Sequence, residues 1–400
     1  MNSEFGAAVK DKNHTNIVAR LSLAALALPG LMQDANAGRV EETYNGDFQY
    51  GHYSESGQRM DVDIFEGALS APIGKSMTAS VNLVRDTISG ASPRYNSKSA
   101  TGQVKQVLSG ASIREQRDAI SPTLTYFLDD ASVSLGGGFS RENDYTSRYV
   151  NSNISYDLNT PGFKGKKLTT LNFGASAAFD EIEPTGYDYK KSKTTQQYLL
   201  GVTQIIDKDS LVSSNMTFGY HKGFLSDPYK WVYFTGDGVY DDTRPDQKFQ
   251  WAWLTQYVRH FQNANNAALH MDYRFYTDDW GVNAHTFEVS WHQPIINDWQ
   301  IIPRFRYYSQ DKADFYQPFF EGGDKAQYFT SDYRLADFGA FSGGVKVSKE
   351  INGLNLNHLK FQAGIEYYNH NSSYQLGGRG HGNFDSFSYY QLTASINLKF

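Results

Sequence analysis

Between residues 248 and 309, apolar and polar side chains alternate with period two through four consecutive runs. The first run sets Phe249, Trp251, Trp253, Tyr257 and Phe261 against Gln250, Gln256 and His260. The second sets Leu269, Met271, Tyr273 and Phe275 against His270, Asp272 and Arg274. The third sets Phe287, Val289 and Trp291 against Glu288, Ser290 and His292, and the fourth Trp299, Ile301, Phe305 and Tyr307 against Gln300, Arg304 and Arg306. Period two predicts strands with an aromatic face and a charged face. A soluble sandwich buries the aromatic face under a second sheet, whereas a membrane barrel turns it to lipid and encloses the charges.

The rest of the chain decides between these two folds. About sixteen alternating runs follow one another from residue 42 to residue 400, each ended by a turn or loop signal. Weak runs at 60–70 and 141–150, with Glu66, Arg141 and Glu142 out of phase, leave the count open by two. Short turns fall at 71–76, 129–131, 207–210, 262–267 and 294–298, with slightly longer ones at 159–167 (carrying Pro161-Gly162) and 350–359 (Asn352-Gly353). Longer connections at 89–117, 180–192, 221–247, 310–327 and 370–385 interleave with them. Alternation of short and long connections is the pattern of periplasmic turns and extracellular loops in an outer-membrane barrel. The last run puts Tyr390, Leu392, Ala394, Ile396, Leu398 and Phe400 on one face, and the chain stops on that aromatic. Such an ending resembles the sorting signal of bacterial outer-membrane barrels, carried here by Tyr390, Leu392, Ile396, Leu398 and Phe400. The expectation is therefore an all-β, transmembrane antiparallel barrel of about 16 strands in the outer membrane of a Gram-negative bacterium. Closure is required physically, since an open sheet edge in hydrocarbon leaves backbone groups unpaired.

Composition supports this reading. Mean hydropathy is low at −0.55, yet 15% of residues are aromatic. Only every second strand residue of a barrel meets lipid, so the combination fits. No run of about 18 apolar residues exists that would make a membrane helix. The net charge of −6 carries no nucleic-acid footprint, and the absence of cysteine excludes disulfides and thiolate metal sites. At the N-terminus, Lys10, Lys12 and Arg20 precede a short apolar run at 21–28, then Pro29-Gly30 and Ala35-Asn36-Ala37. This order predicts a cleaved signal peptide over residues 1–37, with the barrel occupying 38–400.

Several phrases in the second half resemble a bacterial envelope family, the barrel family known as domain of unknown function 3570. They are Ser226-Asp227-Pro228-Tyr229-Lys230, Arg244-Pro245-Asp246, Tyr273 to Gly281 (YRFYTDDWG), Pro303 to Gln310 (PRFRYYSQ), Ala313-Asp314-Phe315-Tyr316 and Asp332-Tyr333-Arg334-Leu335. The resemblance implies an exported barrel over about residues 40–400 and carries no catalytic residues with it.

If the aromatic face meets lipid, the lumen receives His270, Asp272, Arg274, Glu288, His292, Arg304 and Arg306. Arg334 and Lys346 join from a strand over 333–349, and Glu366 from the next. Asp272, Arg274, Glu288 and Arg304 are placed to pair across strands. Channel lining and a rigidifying ion-pair network stand as equal readings. Arg259 and Asp337 fall on the lipid face, which calls for a position near an interface. Asp241-Asp242 and Asp278-Asp279 read as solvated turn carboxylates, lacking calcium-loop spacing. Ser290 and His292 share a face but lack an orienting third group. His370 and His381 lack a third metal ligand. Trp251, Trp253, Trp280, Trp291 and Trp299 suit interface girdles. The functional expectation is a porin-like pore or narrow transport channel for a small solute, with no cofactor and no catalytic residues. Its expected partners are outer-membrane lipid, lipopolysaccharide and the barrel-assembly machinery. A barrel-supported envelope enzyme, or an assembly partner working through its loops, is the alternative.

Overall fold

The computed structural model describes residues 43–57, 59–90, 93–99, 104–108, 113–159, 167–322, 326–351, 358–378 and 386–400. The expected signal peptide, His381, Pro161-Gly162 and Asn352-Gly353 lie outside these residues. The chain forms β1 (Asn45–Glu55), β2 (Met60–Ile73), β3 (Met77–Gly90), β4 (Pro93–Lys98), β5 (Val104–Leu108), β6 (Ile113–Phe127) and β7 (Ala131–Arg141). There follow β8 (Tyr145–Asn159), β9 (Lys167–Ile182), β10 (Lys191–Asp207), β11 (Ser210–Gly223), β12 (Trp231–Thr235), β13 (Gly238–Asp241) and β14 (Gln247–Phe261). The remainder are β15 (Ala267–Asp278), β16 (Asn283–Pro294), β17 (Trp299–Gln310), β18 (Phe320–Glu321), β19 (Phe338–Ile351), β20 (His358–Asn371) and β21 (Phe387–Lys399).

Sixteen of these close into one antiparallel barrel in the order β1-β2-β3-β6-β7-β8-β9-β10-β11-β14-β15-β16-β17-β19-β20-β21. Closure pairs β1 with β21 from Asn45↔Lys399 to Glu55↔Tyr389. At the seam, Tyr44 and Phe400 exchange backbone hydrogen bonds of 2.9 and 3.1 Å and stack their rings at 5.7 Å. The terminal aromatic is thus the last stitch of the seam, which leaves no edge strand. Barrel strands run from 11 to 17 residues, enough to cross a bilayer at a tilt, where about 9–11 suffice.

Alternation sorts the side chains as expected. Phe48, Phe65, Leu83, Leu124, Leu135, Val150, Phe173, Leu200, Phe249, Phe287, Phe305, Ile365 and Leu392 all stand exposed on the outside. A soluble protein does not leave so continuous an apolar band in water. The band and the closed sheet together make this a membrane-spanning barrel of the outer-membrane type. On the sorting face, Tyr390, Leu392, Ile396 and Phe400 are exposed and Leu398 is half-exposed.

Of the two weak runs, 60–70 lies within β2, whereas 141–150 is not one strand: Arg141 ends β7 and Tyr145 begins β8, with residues 142–144 connecting them. In β2 the phase break comes from Val62 and Ile64, which turn inward and pack with Tyr53 and Ile88, leaving Glu66 on the inner face. The run expected over 333–349 needs correction. Tyr333–Leu335 is a 3-10 turn, begun by Asp332, whose carboxylate accepts from the Arg334 amide, and the strand starts at Phe338. Arg334 and Asp337 are therefore loop residues, and Asp337 is buried rather than turned to lipid. Arg259 does stand on the outer face near the end of β14, 3.4 Å from Tyr257 Oη.

Candidate functional site

The long connections form a cap across one end of the barrel. The hairpin β12–β13 extends in parallel onto β18, with Val232, Phe234 and Phe329 buried at its centre. The hairpin β4–β5 lies against it: Asn96 Nδ2 donates to the Ser331 carbonyl at 3.3 Å, and the Lys230 amine donates to the Pro93 carbonyl. Ser331 Oγ in turn donates to the Trp231 carbonyl at 2.9 Å.

Beneath the cap, residues 311–316 and 330–337 of the next long connection pack inward at the mouth along one wall. Ala313, Tyr316 and Ala336 are fully buried against inward residues Tyr276, Ala284, Phe338 and Ala340, with Trp280 and Val282. Gln310 Nε2 secures it, donating to the Ala336 carbonyl at 2.6 Å and to that of Arg334 at 3.1 Å. We refer to this inserted segment as the plug. Trp280 belongs to its core, with Nε1 donating to the Gln247 carbonyl at 3.0 Å, and so does not join an interface girdle. A tight turn with Gly281 at φ 91° tucks the ring inward.

An ion-pair cluster locks cap to plug. Arg244 Nε meets Asp242 Oδ2 at 2.6 Å, and Arg244 Nη2 meets Asp332 Oδ2 at 2.9 Å. Arg334 pairs with Asp332 and with Asp227, so it ties loops together instead of lining the lumen. Burial pushes the Asp332 carboxyl up, but Arg334, Arg244 and Lys230 together outweigh it and hold the group well below the usual carboxylate range. At Asp242 burial wins over Arg244, and the carboxyl is raised. Only one member of each acidic pair is solvated: Asp241 and Asp279 are exposed, whereas the Asp242 and Asp278 side chains are 0% and 1% exposed. Asp278 meets Lys248 at 2.9 Å and accepts from the Tyr276 hydroxyl at 2.6 Å and from the Trp280 and Val282 amides. These carboxylates organise the turns from within.

Below the plug, rows of inward residues cross the wall β15-β16-β17-β19-β20. The first row holds Arg274, Thr286, Tyr308, Ala340 and His370. The second holds Asp272, Glu288, Arg306, Ser342 and Tyr368, and the third His270, Ser290, Arg304, Gly344 and Glu366. Arg304 is the hub of the third row. Nε and Nη2 meet the two Glu288 oxygens at 2.7 and 2.6 Å, and Nη1 meets Glu366 Oε2 at 2.5 Å. Gly344 makes the reach to Glu366 feasible, because a Cβ there would lie 3.0 Å from Glu366 Cα and closer still to the Ile365 carbonyl. Asp272 accepts from Gln256 Nε2 at 3.3 Å. His270 and His292 stack at 4.2 Å, and His292 Nε2 lies 3.3 Å from Ser290 Oγ. Arg274 lies with Cζ 5.6 Å from the Tyr276 ring centroid and does not pair with Asp272 or Glu288. No cluster of three metal-ligating side chains occurs among the described residues. A groove of about 400 Å³ lies beside the outward residues Tyr257, Met271, Tyr273, Phe287, Val289 and Phe305, with Thr255, Asp272 and Glu288 also in its lining.

The residues that sequence reasoning passed over are those of the cap lock: Asp242, Arg244 and Asp332, with Asp227 and Lys230. Four of these five stand within the phrases quoted for the family resemblance, which the fold gathers from separate loops.

The family model described as "Protein of unknown function (DUF3570)" matches residues 18–194 and 186–391. No curated protein matches the chain. Among solved structures, the chain is similar to OccD3 (OpdP) of Pseudomonas aeruginosa at 11% identity and TM-score 0.42, covering 94% of this chain and 97% of that one. A bacterial polysaccharide outer membrane secretin matches at 6% identity and TM-score 0.47, over 90% of this chain and 99% of that one. CdiB from Acinetobacter baumannii matches at 8% identity and TM-score 0.49, over 90% of this chain and 60% of that one. Likeness at this level says nothing about a solute.

Proposed function

Since the chain belongs to this family of proteins of unknown function, membership brings no activity with it, and we propose from the geometry that the protein is a narrow, one-sided transport channel for a small solute. The observation that carries this reading is the plug. Residues 311–316 and 330–337 pack on one side of the mouth directly above a charged wall, while the inner face of β7 to β11 is mostly neutral, with Ser132, Ser134, Asn151, Asn153 and Ser176, and carries the ion pair Asp180–Lys193. A solute passing such a barrel would run between a smooth wall and a charged one. Selection would then arise from charge at a constriction rather than from bore alone.

The same reading sets the barrel in the outer membrane of a Gram-negative bacterium, with capped loops outside and short turns in the periplasm. Residues 1–37 would act as the export signal, the terminal strand would engage the assembly machinery, and the apolar band would meet lipid and lipopolysaccharide. Planar-bilayer recording of the folded barrel tests it. Small, discrete conductance steps support a narrow channel. Silence from protein that migrates differently boiled and unboiled, with and without the plug, would rule a channel out.

A further inference from the structure

We propose that Arg274 and Arg306 form a binding site for a small oxyanion, a carboxylate or phosphate group, on the charged wall immediately below the plug. The inference deepens the channel reading by naming a solute class and rests on it for its role, though not for its test.

The argument starts from how this wall treats its other arginine. Arg304 is neutralised twice over, by both oxygens of Glu288 and by Glu366. Glu288 stands directly opposite Arg306 in the β16–β17 register and within reach of its charge, yet both its oxygens are hydrogen-bonded to Arg304 and neither to Arg306. Neither Arg274 nor Arg306 forms an ion pair with a carboxylate among the described residues, and Arg306 Nε is buried with no hydrogen-bond partner. A guanidinium held away from bulk water without a counter-ion is costly unless something else supplies the negative charge. The acidic groups on the same wall do not fill that role: Asp272 accepts from Gln256, and Glu366 goes to Arg304. Lys346, on β19 two inward rows below Arg306, is a further cation on this wall.

Geometry supports a ligand rather than mere solvation. Arg274 and Arg306 stand in neighbouring rows on strands separated only by β16, with Tyr308 inward beside them. Tyr276 flanks Arg274 and is pinned, its hydroxyl donating to Asp278 Oδ2 at 2.6 Å with the Gln250 amide 3.0 Å away. The plug core roofs the pair through Tyr276 and Tyr308. A site of this kind offers planar guanidinium forks, which match carboxylate and phosphate oxygens two at a time, within a half-enclosed aromatic frame.

Isothermal titration of the folded barrel in zwitterionic detergent, with inorganic phosphate in one arm and succinate in the other, tests the site without requiring conduction. Saturable binding that weakens as salt rises is expected, and the stronger arm identifies the head group. Arg274→Gln with Arg306→Gln should lower affinity about tenfold or more, since charge-assisted hydrogen bonds are lost. Arg274→Lys with Arg306→Lys keeps the charge but not the forks and should fall between. Removing two uncompensated charges should leave folding intact, which heat-modifiable migration checks; the single variant Arg306→Gln gives the same reading with less disturbance. Arg259→Gln on the outer face should change nothing. Saturable binding of neither anion, or equal binding by wild type and both double variants, overturns the proposal. Binding without conductance would keep the site and reject the channel; conductance without binding would do the reverse.

Discussion

The wall formed by β7 to β9 turns Ser132, Ser134, Asn151, Asn153, Ser155 and Ser176 to the interior, whereas β15 to β20 turn Asp272, Arg274, Glu288, Arg304, Arg306 and Glu366. On this side, from β6 round to β11, neutral polar groups satisfy one another between neighbouring strands, beside the ion pair of Asp180 with Lys193 at 3.3 Å. Thr125 and Ser134 meet at 2.8 Å, Ser155 donates to Asn172 at 2.8 Å, and Thr203 and Ser213 meet at 3.0 Å. Each exchange is neutral, short and local. On the second wall Arg304 bridges three strands and holds two carboxylates. The plug core is seated on this wall, on Tyr276, Ala284, Phe338 and Ala340, and its Tyr333 reaches on to Phe387 of β21 and Arg59. One half of the barrel is thus a smooth structural partition. The other concentrates charge, aromatics and the inserted loop, so the proposed selection and the stability there would depend on the same side chains.

The strongest way to break this asymmetry is to remove the plug. Replacing residues 313–336 with a short Gly/Ser linker should raise single-channel conductance several-fold. An unchanged conductance would mean that the constriction lies elsewhere.

Next in size is the hub of the charged wall. Arg304→Ala leaves Glu288 and Glu366 without their shared counter-ion and should cost about 3 kcal/mol. Thr203→Val on the neutral wall should cost only about 1 kcal/mol, the worth of one neutral hydrogen bond. Urea unfolding of the vesicle-inserted barrel compares the two, and equal losses would erase the distinction between the walls.

The cap lock gives a smaller effect with a defined pH response. Asp332→Asn removes the carboxylate shared by Arg244 and Arg334. Because the Arg334 side chain is half exposed, the expected loss is discounted to about 2 kcal/mol. Asp332 is held below its unfolded value, so its contribution is complete above the ordinary carboxylate range and fades only as pH falls through its depressed folded value. Asp242 is shifted the other way: it takes up a proton more readily in the folded cap, so acidification does not cost the cap through this group. Protease resistance of the loops should therefore hold from neutral pH to about pH 5. In Asp332→Asn the loops should be cleaved faster throughout that range. Wild-type loops that open between those values would contradict the assignment.

How much of this was written in the chain follows from range. Period two over a dozen residues, repeated through sixteen strands, gave the barrel, its facing and its closure on Phe400. It also put His270, Asp272, Glu288, Arg304 and Arg306 on the inner face. It failed at Tyr333-Arg334-Leu335, because three alternating residues fit a 3-10 turn as well as a strand, and only Asp332 as a cap distinguishes them. Trp280 misled for a related reason: an aromatic at a strand end looks like a girdle until the Gly281 turn carries it inward. The lock could not be read at all. Asp227 and Arg334 are 107 residues apart, and Arg244 and Asp332 are 88 apart, distances over which no periodicity reports contact.

The smallest effect tests whether the neutral wall is packed or merely polar. Gly138 faces inward under the ring of Tyr149, whose hydroxyl donates to Ser121 Oγ at 2.6 Å and whose surface is 7% exposed. A Cβ at position 138 would overlap that ring, so Gly138→Ala must swing Tyr149 off Ser121 or shift β8. Losing one neutral hydrogen bond and its packing should cost about 1 kcal/mol, less than any change at the Arg304 hub. Tyr149→Phe keeps the ring and loses only the bond, so the difference between the two variants isolates the steric part. If Gly138→Ala proves neutral while Tyr149→Phe does not, the ring swings freely into the lumen. The smooth wall would then be solvent-lined rather than close-packed, and the contrast with the charged wall would be one of charge alone.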